Sequence, residues 1–281
     1  MQAFLMPNLD KEHAPYCTKT SASVLAACGV SVLIEPQFSA LVNSGDVSFV
    51  SAEEGLLRCD ILIAIGGDGT MLHCSKAAVR YDKPMLGVNA GRLGFMTGIE
   101  ADQLNALSRL VTGEYRTDTR MMLDCVHHAG GASSRYLALN DIVVSNGGLS
   151  RMIDVDLSSG EAEPIAFRAD GIILSTPTGS TAYALSAGGP VIEPSVDCIG
   201  VTAICPHSLY ARPVLFSAEK VLFVQPSPQS RCSVYLTVDG DQGARLNAGD
   251  YVEVRRSEKR LRLLSLNEGG FYETLRRKFK I

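Results

Sequence analysis

The sequence predicts an α/β plus β fold, with an amino-terminal α/β (Rossmann-like) domain and a carboxyl-terminal β-sandwich-like domain. In residues 1–113, short apolar runs alternate with helical patterns, which is typical of a parallel sheet covered by helices. After Gly113 the chain changes to extended segments rich in Val, Ile, Tyr and Thr, separated by Gly, Asn, Pro and Asp. That spacing is typical of antiparallel strands in a layered β domain.

Hydrophobic periodicity and turn residues place the individual elements. In the first domain we predict strands at 3–6, 32–34, 61–65 and 85–88, and helices at 15–28, 70–81 and 101–111. In the second we predict strands at 120–127, 136–144, 152–157, 220–224 and 233–238, followed by a helix at 271–280. The predicted domains are therefore 1–113 and 114–265, and the closing segment 266–281 is a candidate to dock on the first.

Composition excludes several classes of protein. Apolar residues make up 46% of the 281, enough hydrophobic material for buried cores. Lys and Arg total 26 against 30 Asp and Glu, so the net charge gives no general attraction to nucleic acid or anionic membranes. The one dense basic run comprises Arg276, Arg277, Lys278 and Lys280. We interpret it as a solvated face, with a phosphate site as the alternative.

The cysteines and the apolar segments indicate a cellular compartment. The eight cysteines form no CxxC pair and no zinc-site spacing, so we expect reduced thiols. We recognise neither a signal-peptide core nor a membrane-spanning stretch. These patterns predict a cytoplasmic protein without a nucleic-acid or membrane partner.

A glycine-rich turn, Gly66-Gly67-Asp68-Gly69-Thr70, follows a predicted buried strand and precedes a helix. Sheets of this type bind ligands at that end of a strand, and glycine lets the backbone approach a phosphate. The spacing matches neither the P-loop nor the Rossmann fingerprint. A carboxylate inside an anion cradle suits a residue that accepts a proton from an attacking hydroxyl, or one near a metal ion. The alternative is a tight turn in which Asp68 caps the helix.

A second glycine-rich loop, residues 87–95, follows the next strand. It should lie beside the first loop, because consecutive parallel strands end at the same edge of a sheet. Two adjacent glycine loops are able to clamp one ligand. The ring of Phe95 is a candidate to face a base or a sugar, and the alternative is a core phenylalanine.

Two further polar patterns interrupt the β region. Asn140 and Asp141 stand in a strand pattern that disfavours both residue types; this suggests a nucleotide site, with a bulge or turn as the alternative. Residues 167–190 are dense in small hydroxyl residues. A strand, a turn and a helical start at Thr181 would present N–H groups and hydroxyls to a polar ligand, with Tyr183 available for stacking.

Together these motifs make the chain resemble the NAD kinase family, in its short bacterial type. The matching elements stand in the family's order and span most of the chain: GGDGT at 66–70, Gly-Phe at 94–95, Asn-Asp at 140–141, the block from 170 to 183 and the run 206–213. GGDG alone also occurs in diacylglycerol, sphingosine and phosphofructokinase relatives. The Thr-Gly-Ser-Thr-Ala-Tyr segment at 178–183 is far more specific.

The resemblance implies phosphoryl transfer from ATP to the 2′-hydroxyl of the NAD adenosine ribose, giving NADP. It also implies a homo-oligomer, a dimer or tetramer, whose neighbouring subunits help to complete the site. Asp68 would be the general base, in a phosphate loop of Gly66, Gly67, Gly69 and Thr70. The implied NAD-binding residues are Asp68, Gly69, His73, Phe95, Asn140, Asp141, Arg151, Arg168, Asp170, Thr181, Ala182, Tyr183, Ser186 and Gln242.

Two departures from the family pattern bear on these assignments. The family usually has Asn-Glu where this chain has Asn140-Asp141, so the carboxylate is retracted by a methylene and ribose contacts would lengthen or pass through water. The turn at 238–242 carries an extra acidic residue, which leaves the position of Gln242 open. No dedicated protein metal cage is visible, so we expect Mg²⁺, or another divalent cation, to arrive with ATP.

Three rival functions fit part of the pattern. A lipid or sphingoid kinase would share the glycine turn, but it would leave Asn140 and Tyr183 unexplained. A non-catalytic sensor would bind the dinucleotide without turnover, which an intact Asp68 disfavours. A hydride-transferring dehydrogenase lacks its GxGxxG fingerprint here.

Overall fold

The computed structural model describes residues 1–42, 45–147, 151–160, 163–228, 230, 232–266 and 269–280. The chain forms two compact units. Unit 1 comprises Met1–Thr119 together with Leu261–Ile281, and unit 2 comprises Arg120–Arg260. No helix among the described residues is long and apolar enough to cross a membrane.

Unit 1 is built on a parallel sheet. Its strands are β1 (Gln2–Pro7), β2 (Ser31–Ile34), β3 (Val47–Phe49), β4 (Ile61–Gly66), β5 (Met85–Asn89) and β6 (Ile99–Glu100). Its helices up to residue 119 are α1 (Ala14–Ala27), α2 (Ala52–Arg58), α3 (Asp68–Arg80) and α4 (Arg109–Thr112). The strand order β3-β2-β1-β4-β5 is parallel throughout.

The central strands form where the sequence is continuously apolar. Every residue of β4 and β5 is buried, as expected for a parallel sheet covered on both faces. Helix α1 begins with Pro15 in its first turn and is followed by Gly29 at φ +77°, the usual asymmetry of helix ends. In the sheet Gly66 pairs with Asn89. The two glycine loops therefore leave adjacent strand ends, which confirms the prediction that they lie side by side.

Some elements differ from the sequence-based assignment. The helix predicted at 101–111 is a 3₁₀ turn (Leu104–Ser108) followed by α4. Strand β3 and helix α2 were not predicted. The sequence signal for α2 is Ser51, whose hydroxyl caps the helix by accepting from the N–H of Glu54 at 3.2 Å.

Unit 2 is an antiparallel β unit with a single short helix among its described residues. Its first strands are β7 (Arg116–Ala129, which begins in unit 1), β8 (Ala132–Ala138), β9 (Asp141–Ser145), β10 (Ile153–Ser158), β11 (Ile165–Ala169) and β12 (Gly171–Ser175). Helix α5 (Tyr183–Ser186) precedes β13 (Cys198–Ile204), β14 (Val214–Ser217), β15 (Leu222–Pro226), β16 (Val234–Val238), β17 (Asp241–Leu246) and β18 (Tyr251–Ser265). The order β14-β13-β12-β9-β16-β17 forms one sheet, and β11-β10-β15-β18 forms another layer.

These layers share one core. Strand β10 alternates buried and partly buried residues, the period of two that a half-buried strand requires. Buried side chains of both layers belong to the same hydrophobic cluster. The strand predicted at 136–144 is wrong as a single element, because β8 ends at Ala138 and β9 begins at Asp141.

The end of the chain belongs to unit 1. The last residues of β18 pair in parallel with β5, with Leu263 opposite Met85. Helix α6 (Phe271–Phe279) follows. The guanidinium of Arg116 donates to the carbonyl of Gly269 at 2.8 Å and ties down the segment that leads into this helix.

Candidate functional site

The first glycine-rich loop of unit 1 joins β4 directly to α3. Helix α3 begins at Asp68, so the first N–H groups and the positive end of its dipole lie at this turn. Gly66 is required by close packing, because a Cβ atom there would overlap the hydroxyl of Thr70. That hydroxyl accepts from the side-chain amide of Asn8 at 3.1 Å, which fixes the turn to the end of β1.

The carboxylate of Asp68 is held by the second glycine-rich loop. The backbone N–H groups of Phe95 and Met96 donate to its Oδ2 and Oδ1 atoms, each at 3.1 Å. A Cβ atom at Gly94 would overlap Oδ1, so only glycine allows this approach. The alternative of Asp68 as a helix cap is wrong, because Asp68 is the first helical residue and its carboxylate points to the neighbouring loop.

Helix α6 supplies a cation to the same carboxylate. The ammonium of Lys278 lies 3.7 Å from Oδ2 of Asp68 and 4.4 Å from the centroid of the Phe95 ring. The rings of Phe271 and Phe279 lie 6.0 and 6.4 Å from that of Phe95. Lys278 is exposed, as the interpretation of the basic run as a solvated face predicted, and its ammonium also contacts Asp68. Phe95 meets aromatic and cationic groups of its own chain.

Asn140 and Asp141 lie at a junction of unit 2 that Asp239 organises. The Asp239 carboxylate accepts the backbone N–H groups of Leu139, Asn140 and Asp141 at 3.0, 2.8 and 3.2 Å. Asp239 itself has φ +54°, a conformation that short polar residues tolerate better than most. Asn140 is thus at a break between strands rather than inside one, which explains its polarity.

Burial changes the chemistry of Asp141. Its side chain is 5% exposed, and burial, together with the nearby Asp239 charge, raises its pKa to about 7. The shorter acid that replaces the family's usual Glu is therefore both retracted and only partly ionised at neutral pH.

The hydroxyl-rich block packs against the same junction. The Thr176 hydroxyl donates to the carbonyl of Leu139 at 2.5 Å and accepts from the N–H of Gly179 at 3.0 Å. A Cβ atom at Gly179 would overlap the carbonyl oxygen of Asn140. The block is thus a tightly fitted turn, which brings residues 179–181 beside Asn140.

The residues after this turn are more accessible. A short 3₁₀ turn (Gly179–Thr181) precedes α5, in place of a helix that starts at Thr181. The Thr181 hydroxyl donates to the carbonyl of Thr178 at 3.1 Å. Ala182 is partly buried, Ser186 is exposed, and the Tyr183 ring is 47% exposed, so this aromatic face is open to a ligand of unit 2.

A second polar group of unit 2 contains two more of the predicted residues, Arg151 and Asp170. The side-chain amide of Asn146 donates to the carbonyl of Arg151 at 3.1 Å and to Oδ1 of Asp170 at 3.5 Å. Arg168 is exposed and its guanidinium lies 3.9 Å from Asp154. The roles of Asn146, Thr176 and Asp239 were not predicted; only the acidic turn at 238–242 gave a signal for Asp239.

Three predicted residues, Gly69, His73 and Gln242, have no described side-chain contact within the site. Gly69 and His73 are exposed on α3. The side chain of Gln242 lies outside the described residues, although its backbone is part of β17. Within the described ranges, no group of three or more His, Cys, Asp or Glu side chains is able to hold a metal ion.

Comparison with known proteins matches most of the chain. Residues 8–115 match the family model of the ATP-NAD kinase N-terminal domain, and residues 139–266 match that of the C-terminal domain. An NAD kinase of Symbiobacterium thermophilum is 41% identical over 278 residues, 98% of this chain and 97% of the relative. An NAD kinase of Acetivibrio thermocellus is 36% identical over 277 residues, 98% of this chain and 95% of the relative.

Two solved structures share the fold. The structure of yeast NADH kinase complexed with NADH has a TM-score of 0.87 at 22% identity and covers 100% of this chain and 88% of that one. An NAD kinase from Archaeoglobus fulgidus in complex with ATP has a TM-score of 0.75 at 24% identity, with 100% and 99% covered. The predicted fold class and the predicted resemblance are both confirmed. The chain belongs to the NAD kinase family.

Proposed function

We propose that this chain transfers the γ-phosphoryl group of ATP to the 2′-hydroxyl of the adenosine ribose of NAD, with Asp68 as general base. Membership of the family makes the chain a phosphotransferase. The observation that supports the role of Asp68 is its geometry: a carboxylate whose side chain is 36% exposed, fixed at the start of α3 by two backbone N–H groups.

Phosphoryl transfer asks the protein mainly for positioning and charge stabilisation. In the proposed reaction the 2′-hydroxyl gives its proton to Asp68 while its oxygen forms a bond to the γ-phosphorus. The bond from that phosphorus to the leaving ADP oxygen breaks. Oδ1 of Asp68 accepts one N–H, from Met96, and a carboxylate oxygen has a second lone pair for the incoming proton.

The glycine turn would hold the donor phosphates. Gly67 and Gly69 have open space where a Cβ atom would stand, so a phosphate is able to approach their backbone. The first-turn N–H groups of α3 favour an anion there. Gly66 and Thr70 stabilise the turn itself, because the buried Thr70 side chain packs directly on Gly66.

NAD recognition is proposed for the remaining residues. Gly69, His73 and Phe95 would lie against the dinucleotide. In unit 2, Asn140, Asp141, Thr181, Ala182, Tyr183 and Ser186 would bind the adenosine part, and Arg168 and Asp170 would contact the dinucleotide in the same chain or in a neighbouring subunit. Arg151 and Gln242 complete the set. Because Asp141 is buried and its pKa is about 7, Asn140 is the stronger candidate of that pair.

Domain limits, assembly and a cation remain proposals too. We propose a GGDGT domain of 1–113, on which 266–281 docks, a dinucleotide-binding domain of 114–265, and a homo-oligomer. The lack of an acidic or His/Cys cluster among the described residues fits a divalent cation held largely by donor phosphates and water. Such a cation would neutralise the phosphate charge.

The test is to incubate the purified protein with NAD, ATP and Mg²⁺ and to read NADP with an NADP-specific dehydrogenase. We expect NADP from the unmodified chain and a loss of about 10³-fold in turnover for Asp68→Asn, within the range of general-base catalysis. Binding of NAD should be retained in the variant, because the amide keeps the shape without the basicity. Full turnover in Asp68→Asn would remove this residue from the role of base.

A further inference from the structure

Helix α6 brings one charged side chain onto the proposed base. The Lys278 ammonium lies 3.7 Å from Oδ2 of Asp68, and its side chain is 28% exposed. Lys278 is an exposed residue, like the other cations of the same run, Arg276, Arg277 and Lys280. Among the described residues of this run, only Lys278 forms an ion pair with Asp68. One member of the run is therefore set apart from the others by its contact with the glycine-rich turn.

The contact is supported by packing of the whole helix. Phe95 belongs to the loop that donates to Asp68, and Phe271 and Phe279 pack on its ring from the two ends of α6. The Lys278 ammonium lies over the same ring, an arrangement that attracts a cation electrostatically. Phe95 thus positions both partners of the ion pair, one through its backbone and the other through its ring.

The ion pair bears on the repulsion between Asp68 and the donor phosphates of the proposed function. A polyphosphate in the cradle at Gly67 and Gly69 would be repelled by the Asp68 carboxylate, because like charges at close range oppose each other. An ammonium beside Oδ2 offsets that repulsion. It also lies beside the oxygen that accepts from Phe95, and it leaves Oδ1, for which Met96 is the donor among the described residues, to the acceptor hydroxyl.

We propose that Lys278 is a positioning residue for phosphoryl transfer: it neutralises Asp68 beside the donor phosphates and orients the carboxylate so that Oδ1 receives the proton. The proposal rests on the role of Asp68 given under the proposed function. It assigns to the carboxyl-terminal helix a part in the reaction that the motifs of the family resemblance did not include.

The first test is steady-state kinetics with ATP as the varied substrate at saturating NAD. Lys278→Met should lower kcat/KM for ATP by about tenfold, a modest factor because solvent screens a partly exposed pair. The dissociation constant for NAD should stay within about twofold, since the substitution does not touch the proposed adenosine residues. Lys278→Arg keeps the charge and should recover most of the loss.

Arg277→Met is the matched control. It removes an exposed cation from the same helix, one residue away, so it changes net charge and helix propensity in the same way. Its kcat/KM should equal that of the unmodified chain. Melting temperatures of all variants would show that α6 remains docked. A Lys278→Met variant that behaves like Arg277→Met, or a Lys278→Arg variant as impaired as Lys278→Met, would overturn the proposal.

A double-mutant cycle separates action through Asp68 from direct contact with phosphate. The dissociation constant for ATP is measured without NAD, so that no turnover occurs, in the unmodified and Asp68→Asn backgrounds. If Lys278 acts through Asp68, Lys278→Met weakens ATP binding at least about fivefold more in the first background than in the second. An equal effect in both backgrounds would refute action through Asp68.

The same set of proteins distinguishes failure of this inference from failure of the proposed function. An active Asp68→Asn variant would overturn both. An inactive Asp68→Asn variant alongside a fully active Lys278→Met variant would overturn the role of Lys278 alone.

Discussion

Asp68 in unit 1 and Asp239 in unit 2 both accept hydrogen bonds from backbone N–H groups of a neighbouring loop, yet their surroundings differ. Asp68 accepts two, has a partly exposed side chain and stands beside a cation. Asp239 accepts three, is buried, and stands beside a second carboxyl group, Asp141. The same kind of hydrogen bonding thus holds the proposed general base in one unit and a chain junction in the other.

The largest effect that separates the two should come from alanine at each position. Asp239→Ala removes the acceptor of three backbone N–H groups, those of residues 139–141, and places an alanine at a φ of +54°. We therefore expect a loss of about 3 kcal/mol in the free energy of unfolding. Asp68→Ala removes the acceptor of two N–H groups, those of Phe95 and Met96, at a side chain that is partly exposed. We expect it to lower the free energy of unfolding by about 1 kcal/mol. Urea unfolding measures both free energies. Equal losses would show that Asp68 and Asp239 contribute equally to stability.

Alanine at two tightly packed glycines should affect catalysis in unit 1 and stability in unit 2. At Gly94 a Cβ atom would overlap Oδ1 of Asp68, so Gly94→Ala should displace the carboxylate and lower kcat/KM by about thirtyfold, on the scale of a misplaced catalytic group. The matched control is Gly91→Ala in the same loop, where the nearest atom outside it is 4.0 Å away. At Gly179 the overlap is with the backbone of Asn140, so Gly179→Ala should lower the melting temperature instead.

Removal of the exposed ring in unit 2 tests whether this unit contributes to binding. Tyr183→Ala should weaken NAD binding by about 1.5 kcal/mol, in the lower part of the range for a base stacked on an aromatic side chain, because the ring is half-exposed. Isothermal titration with NAD measures the change. An unchanged dissociation constant would place the dinucleotide away from α5.

A last prediction concerns the pH dependence of stability that the buried carboxyl pair of unit 2 should produce. Asp141 has a pKa of about 7 in the folded chain against an ordinary 3.8, so the folded state keeps a proton that the unfolded chain loses at lower pH. Stability should therefore fall as pH rises from about 4 through 7, because the unfolded chain releases the proton first. Asp141→Asn should flatten this dependence in thermal unfolding across that range. A variant with the same pH profile would show that Asp141 is ionised throughout.

Local patterns were enough for most of the fold. The alternation of buried strands and helices predicted β1, β2, β4, β5, α1 and α3 within a residue or two, because side-chain periodicity is set by the backbone itself. It failed for the 3₁₀ turn at Leu104–Ser108 and for the short strand β3. Both are too short for a period to be read, and β3 is mainly exposed.

The family, the α/β plus β class and the two glycine loops at adjacent strand ends could be predicted before the structure was known, because those signals are local in the chain. Three contacts became visible only in the folded chain: the backbone N–H groups that hold Asp68, the approach of Lys278 to it, and the acceptance by Asp239 of the N–H groups around Asn140. Each of these contacts joins residues far apart in sequence. Periodicity and spacing carry no record of such distances, which arise when packed elements bring separate segments together.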